Sequence, residues 1–187
     1  MKAIRNIGFA AAIVVGAATA GSAAVVDFDD LGGTGVLADG YGGIIWGGDW
    51  NYYDSVQAPY TPHSGSTRIY TAGNDASGSF SFADAVNFSG AWVSGFSNNV
   101  SFSMFYNGLL VAASSLLSPT DSPTFLGSGY SGLVDMVTFT TDADAGYYVL
   151  DDVTYTTAAV PLPAAAWMLL GGLGALAAVR RRRETQV

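Results

Sequence analysis

Apolar and small polar side chains alternate through most of this chain, and that period of two commits it to β-strands. Val100, Phe102, Met104 and Tyr106 fall on one face of an extended segment, with Ser101 and Ser103 on the other. Asn107-Gly108 follows at once, and Leu109, Val111 and Ala113 resume the alternation. Asn-Gly between two such runs predicts a tight hairpin, because a type I′ turn needs positive φ at both central residues. Upstream, Phe80 and Phe82 alternate with Ser79, Ser81 and Ala83, and Val86, Phe88 and residues 91–96 surround Gly90, a predicted bulge. Further strands are predicted over 133–140 and 146–155, the last with Tyr147, Val149, Asp151, Val153 and Tyr155 on one face. No window carries helical periodicity. Residues 31–66, dense in Gly, Tyr and Trp, are predicted as ordered loops around one or two short strands. The expected fold is all-β: a two-sheet β-sandwich, closed in jelly-roll or Greek-key fashion.

The two ends do not belong to that domain. Lys2 and Arg5 precede an apolar run from Ile7 to Ala20, and small residues Gly21-Ser22-Ala23-Ala24 follow. Charge, apolar stretch and small-residue site together predict a secretory signal over 1–24, cut after Ala23 or Ala24, with Ala20 an alternative. The run falls short of the ~20 residues that span a bilayer. At the other end, 162–179 carries no charge and would extend roughly 27 Å as a helix. Arg180, Arg181, Arg182 and Arg183 follow as a stop that stays on the cytoplasmic side. The expected organisation is a signal helix over 1–24, a β-sandwich over 25–157, and a sorting segment with a transmembrane helix over 158–187. The inner membrane is then a way station, and the domain lies outside it.

Val160-Pro161-Leu162-Pro163-Ala164, the apolar span and the arginine cluster occur in that order. This arrangement resembles the PEP-CTERM class of bacterial sorting signals in its VPLPA-CTERM variant, with Leu162 where the namesake motif has Glu. The resemblance implies an exosortase-type processing enzyme as partner, cleavage near Pro163-Ala164, and an exopolysaccharide-producing Gram-negative setting. It covers about 24 residues and identifies a route, not an activity; an uncleaved single-span anchor is the alternative. Asp27-Phe28-Asp29-Asp30-Leu31, the stretch Tyr41 to Trp46, and the stretch Tyr148 to Val153 give the middle a diffuse likeness to exported galactose-binding-like, carbohydrate-binding jelly rolls.

Charge narrows the partners. One Arg, Arg68, stands against fourteen Asp between the two ends, so the 25–157 segment carries −13. Such a surface repels phosphate backbones, which excludes nucleic acid as a partner. There is no cysteine, hence no disulfide. His63 is the only histidine, and no Gly-x-Ser-x-Gly elbow accompanies it, so the expectation is a protein that is not an enzyme. A secreted hydrolase is the least favoured class.

Two sets of side chains are candidates for binding. Asp27, Asp29 and Asp30 near the first strand, and Asp151 and Asp152 in the last, would converge if those strands were neighbours. Carboxylates and carbonyls at that density suit structural calcium, while solvated loop caps are the alternative. Asp142 and Asp144 read as turn caps. Trp46, Trp50, Tyr52, Tyr53 and Tyr60 cluster in a Gly-rich segment where planar rings could stack on a glycan. Trp50, Tyr52 and Tyr53, flanked by polar residues, are the candidates for it, whereas Trp46 and Trp92 read as core. The functional expectation is an exported cell-surface or extracellular-matrix protein, with a glycan-binding module for exopolysaccharide as the alternative.

Overall fold

The computed structural model describes residues 21–96, 99–142 and 147–157, together with Met168 and 171–174. Gly21–Ala158 forms one compact unit. The predicted signal run 1–20, the motif Val160 to Ala164 and the cluster Arg180 to Arg183 lie outside the described residues. Among the described residues no helix is long and apolar enough to cross a membrane.

Eleven strands build the unit: β1 (Ala23–Val26), β2 (Thr34–Val36), β3 (Ile44–Ile45), β4 (Trp50–Tyr53), β5 (Arg68–Thr71), β6 (Ser77–Gly95), β7 (Val100–Tyr106), β8 (Leu109–Ala113), β9 (Thr124–Gly127), β10 (Val134–Thr141) and β11 (Tyr148–Thr157). The all-β class follows as the alternation predicts. All the strands join one antiparallel sheet in the order β2-β4-β5-β11-β6-β10-β7-β8; β1 adds to β11, and β3 and β9 add to β6. Asn107 (φ 52°) and Gly108 (φ 75°) make the predicted turn between β7 and β8.

β6 holds this sheet together. Its alternation looks broken between Ala83 and Val86 in the sequence, yet the chain stays extended for 19 residues. The first half pairs with β10 and β3, the second with β11 and β9. Phe80, Phe82, Val86 and Phe88 face the core, then Ala91 and Val93. The step of three from Phe88 to Ala91 comes from a register irregularity beside Gly90. Only glycine fits there: its φ is +142°, and a Cβ would stand 2.2 Å from the Leu126 carbonyl oxygen.

β11 carries a second irregularity, which overturns the face predicted for it. Tyr148, Leu150, Val153 and Tyr155 point inward, so the predicted face Tyr147, Val149, Asp151, Val153 and Tyr155 holds only for its last two members. Between Asp151, opposite Trp92, and Thr154, opposite Gly90, β11 has one residue more than β6. Asp152 takes up the surplus in the left-handed region, at φ 47°. Simple alternation cannot anticipate an inserted residue, because the insertion shifts the phase of everything after it. Its consequence is that two consecutive carboxylates lie away from the apolar core.

The core is aromatic. Trp46 packs on Phe80 at 5.3 Å, Phe88 on Phe102 at 5.0 Å, and Phe102 on Phe139 at 5.1 Å between ring centroids. Trp46 and Trp50 are fully buried, and each indole N–H has an acceptor: the Tyr41 carbonyl at 3.0 Å and the Ser79 carbonyl at 2.9 Å. Neither indole therefore leaves a polar atom unpaired in the interior. Trp50→Ala should lower the stability of the full chain by about 3–5 kcal/mol in chemical denaturation.

Candidate functional site

Alternation along β4 and β5 sorts their residues onto two faces. Trp50, Tyr52 and Ile69 pack toward the core, which leaves Tyr53, Arg68 and Tyr70 on the opposite face. Tyr53 stands across from Arg68, with the guanidinium carbon 3.8 Å from its ring centroid, and meets Tyr70 edge-on at 5.4 Å. That face would be solvated were it not for the segment 54–66, the connection from β4 to β5, which lies over it. Under this segment Arg68 is 1% exposed and Asp151 is 2% exposed.

Each buried charge is matched by backbone. Arg68 donates from Nη1 to the Ser66 carbonyl at 2.9 Å and from Nη2 to the Ser55 carbonyl. Asp151 Oδ2 accepts from the His63 and Ser64 N–H groups at 2.7 and 2.9 Å, and Oδ1 accepts from the Asp152 N–H at 2.8 Å. A cation thus takes the carbonyls of the segment and an anion takes its amides, which satisfies polar groups that burial would otherwise leave costly. Burial pushes the Asp151 carboxyl up to about 7, against the lowering effect of the Ser64 N–H.

Around Asp151 the segment is pinned further. His63 Nδ1 lies 2.5 Å from Asp152 Oδ2, and Ser64 Oγ donates to Asp152 Oδ1 at 3.0 Å and to Asp29 Oδ2 at 3.4 Å. Ser66 N–H reaches Asp29 Oδ1 at 3.3 Å, and Ser94 Oγ donates to the Thr61 carbonyl at 2.6 Å. Gly65 allows the approach, since a Cβ there would sit 1.8 Å from Asp29 Oδ1. The His63 ring stacks on Trp92 at 3.5 Å and 11°, and Phe125 packs edge-on against the same indole at 5.7 Å. Trp92, read as core from the sequence, is therefore a half-buried outer-face residue. Its position beside Asp151 in the ladder puts it opposite the inward Ala91 and Val93.

The predicted carboxylates come together only in part. Asp29 and Asp152 meet at Ser64, with Asp151 beside them on the same segment. Asp27 accepts only the Asp29 N–H at 3.3 Å, and Asp30 turns away to the Tyr41 hydroxyl. Both oxygens of Asp151 and of Asp152 already accept hydrogen bonds from protein donors. Among the described residues no group of three or more His, Asp or Glu side chains converges as a metal ion requires. Asp142 accepts from the N–H and side-chain amide of Asn99, 43 residues away before β7, each at 2.7 Å, while Asp144 and the turn that the pair is expected to cap lie outside the described residues.

Beside the pinned segment opens a cleft of about 480 Å³. Its walls carry five tyrosines: Tyr53, Tyr60, Tyr70, Tyr147 and Tyr148. Thr34, Ser55 and Gln57 add polar groups, and Val149 adds an apolar one. Phe96 supports the wall, packing on Tyr60 at 5.9 Å and on Tyr147 at 5.1 Å. Burial raises the phenols of Tyr53, Tyr60 and Tyr148 above the ordinary tyrosine value, so all three are neutral hydroxyls at pH 7. Of the three predicted stacking residues, Tyr53 lines this cleft, Tyr52 lies on the inner face of β4, and Trp50 is in the core with no face to offer. Tyr60 belongs to the aromatic cluster that the sequence offers. Tyr70, Tyr147 and Tyr148 do not stand out there as stacking residues, because nothing in the sequence relates positions almost ninety residues apart, and the pair Tyr147-Tyr148 at a strand start is a local signal alone.

Comparison with known proteins adds nothing by likeness: no family model, no curated protein and no solved structure matches this chain.

The folded-state carboxyl of Asp151 binds its proton more tightly than the unfolded one, which titrates near 4. Its contribution to stability is therefore full below about pH 4 and is lost as pH rises through about 7. The difference in melting temperature between wild type and Asp151→Asn should be largest, in favour of wild type, near pH 4–5 and should shrink toward pH 8. A difference constant over that interval contradicts the assignment.

Proposed function

We propose that this chain is an exported, non-enzymatic cell-surface or extracellular-matrix protein that holds exopolysaccharide in its tyrosine-lined cleft. The cleft is the observation that carries the reading. Planar rings present apolar faces to the C–H faces of a pyranose, while their neutral hydroxyls, with Thr34, Ser55 and Gln57, pair with sugar hydroxyls. Its volume lies in the range of small-ligand sites. Against catalysis stands Ser64, whose Oγ turns to the Asp152 and Asp29 carboxylates and not to the His63 ring, which stacks on Trp92. That geometry favours a fastening over a nucleophile and its base. The division of β6 between two sets of neighbours favours a sandwich of jelly-roll type, with an aromatic filling between its halves. Calcium has no role in this reading.

Delivery rests on the PEP-CTERM-like tail and an exosortase-type enzyme, with the inner membrane as the intermediate station. β1 refines the other cut. Ala23–Val26 pairs with β11, and the Ser22 carbonyl accepts the Thr157 N–H at 3.2 Å. Cleavage after Ala24 would remove half of that strand. Cleavage after Ala20 leaves it whole and follows the small-residue pattern Ala18-Thr19-Ala20. Intact-mass measurement on protein released from the producing cells should therefore find a species that starts at Gly21 and lacks Arg180 to Arg183; one that retains the arginines makes the tail a plain anchor.

Tyr60→Ala and Tyr147→Ala should each abolish retention of the full chain on the producer's polysaccharide, with melting temperatures within a few degrees of wild type. Retention that survives both substitutions moves the binding surface elsewhere.

A further inference from the structure

Arg68 is the only Lys or Arg between residues 6 and 179, and it lies behind the cleft. Its guanidinium is buried against the Tyr53 ring, and the Ser55 carbonyl that it binds belongs to a cleft-lining residue. Carbonyl dipoles satisfy Nη1 and Nη2 but do not cancel the charge. Among the described residues the one ion pair within 4 Å is His63 with Asp152, so Arg68 has no carboxylate partner. Its Nε, also buried, has no hydrogen-bond partner at all. A buried cation with neither counter-ion nor full hydrogen bonding is unusual, because desolvation makes it costly.

The distribution of acid points the same way. Fourteen aspartates stand in the 25–157 segment, yet the cleft lining contains none. Asp54, next to Tyr53 in the chain, accepts the Gly33 N–H at 2.8 Å. Asp75 acts on the Tyr148 phenol from a distance. Asp151, buried beneath the same segment as Arg68, gives its oxygens to the His63, Ser64 and Asp152 N–H groups. The exposed carboxylates outside the lining act through solvent, in which fields decay over about 8 Å at physiological salt. The lining residues with polar side chains are phenols, hydroxyls and one amide, all able to donate. Donors in front and an uncompensated cation behind form a receptor for an anion, on rings shaped for a sugar.

We propose that the cleft selects a uronate-type saccharide, a pyranose bearing a carboxylate, whose charge compensates Arg68. This rests on the reading of the cleft as a glycan site and names its ligand class. Tyr53 transmits the selection, since its ring lies against the guanidinium and its residue lines the cleft.

The test is calorimetric titration of the full chain, in a non-glycosidic detergent, with trisaccharides of galacturonate, mannuronate and glucuronate, each beside its methyl ester. At least one acid should bind about ten-fold or more tighter than its ester at low salt, and the ratio should fall as sodium chloride is raised. Arg68→Met should bring the acid-to-ester ratio close to one, whatever the change in absolute affinity for the ester. Should that variant fail to fold, the ester comparison and the salt dependence on wild type decide alone. Equal binding of acids and esters overturns the selection and leaves the glycan cleft standing. No binding of any acid or ester overturns both.

Discussion

Burying charge under a loop is the constraint that organises this domain. A β-sheet with one aromatic face and one polar face would ordinarily leave the polar face in water. Here the connection between β4 and β5 covers it, and covering it requires partners for every backbone amide and carbonyl it brings down. Arg68 and Asp151 supply them from beneath, each in the sense opposite to its own charge. The two are not paired with each other. Each is paired with the backbone of the same segment, so the lining Ser55, Gln57 and Tyr60 inherits its position from two side chains in the sheet.

What the chain reveals before folding, and what it hides, divides along the range of the interactions. The Asn107-Gly108 turn is legible because both residues that satisfy its φ requirement are adjacent. β7 is legible because its whole inward face is written in alternate residues. The same alternation misleads in β11, where one surplus residue, Asp152, exchanges the faces of the positions on either side of it. It misleads for Trp92 for a related reason: a large apolar ring in a strand looks like core, but its phase puts it on the outer side, beneath the His63 imidazole.

The acidic residues illustrate the limit of reasoning by proximity. Their rough convergence follows from the entry of the chain close to its final strand, and Asp29 and Asp152 do meet. What they meet over is Ser64, from a loop whose placement depends on contacts spanning 35 and 88 residues of sequence. Carboxylate density suggested a cation; the structure finds protein donors at those oxygens. The tyrosine cleft is legible only in part: Tyr53 and Tyr60 stand in one aromatic stretch, but Tyr70, Tyr147 and Tyr148 come from β5 and the start of β11, and each is unremarkable in its own neighbourhood.

The place of β11 in the sheet has a mechanical side. Tyr148, its first residue, lines the cleft, and its last, Thr157, is where the chain leaves the unit. Ten residues of extended chain, roughly 33 Å, join the two. β11 is flanked by β6 along one side and by β5 and β1 along the other. A pull between the cleft and Thr157 runs along this strand, and ladder bonds perpendicular to the strand bear it together in shear. They do not open one after another like a zipper. A tether fixed at Thr157 and a load held at the cleft would thus act on a strand braced along both of its sides.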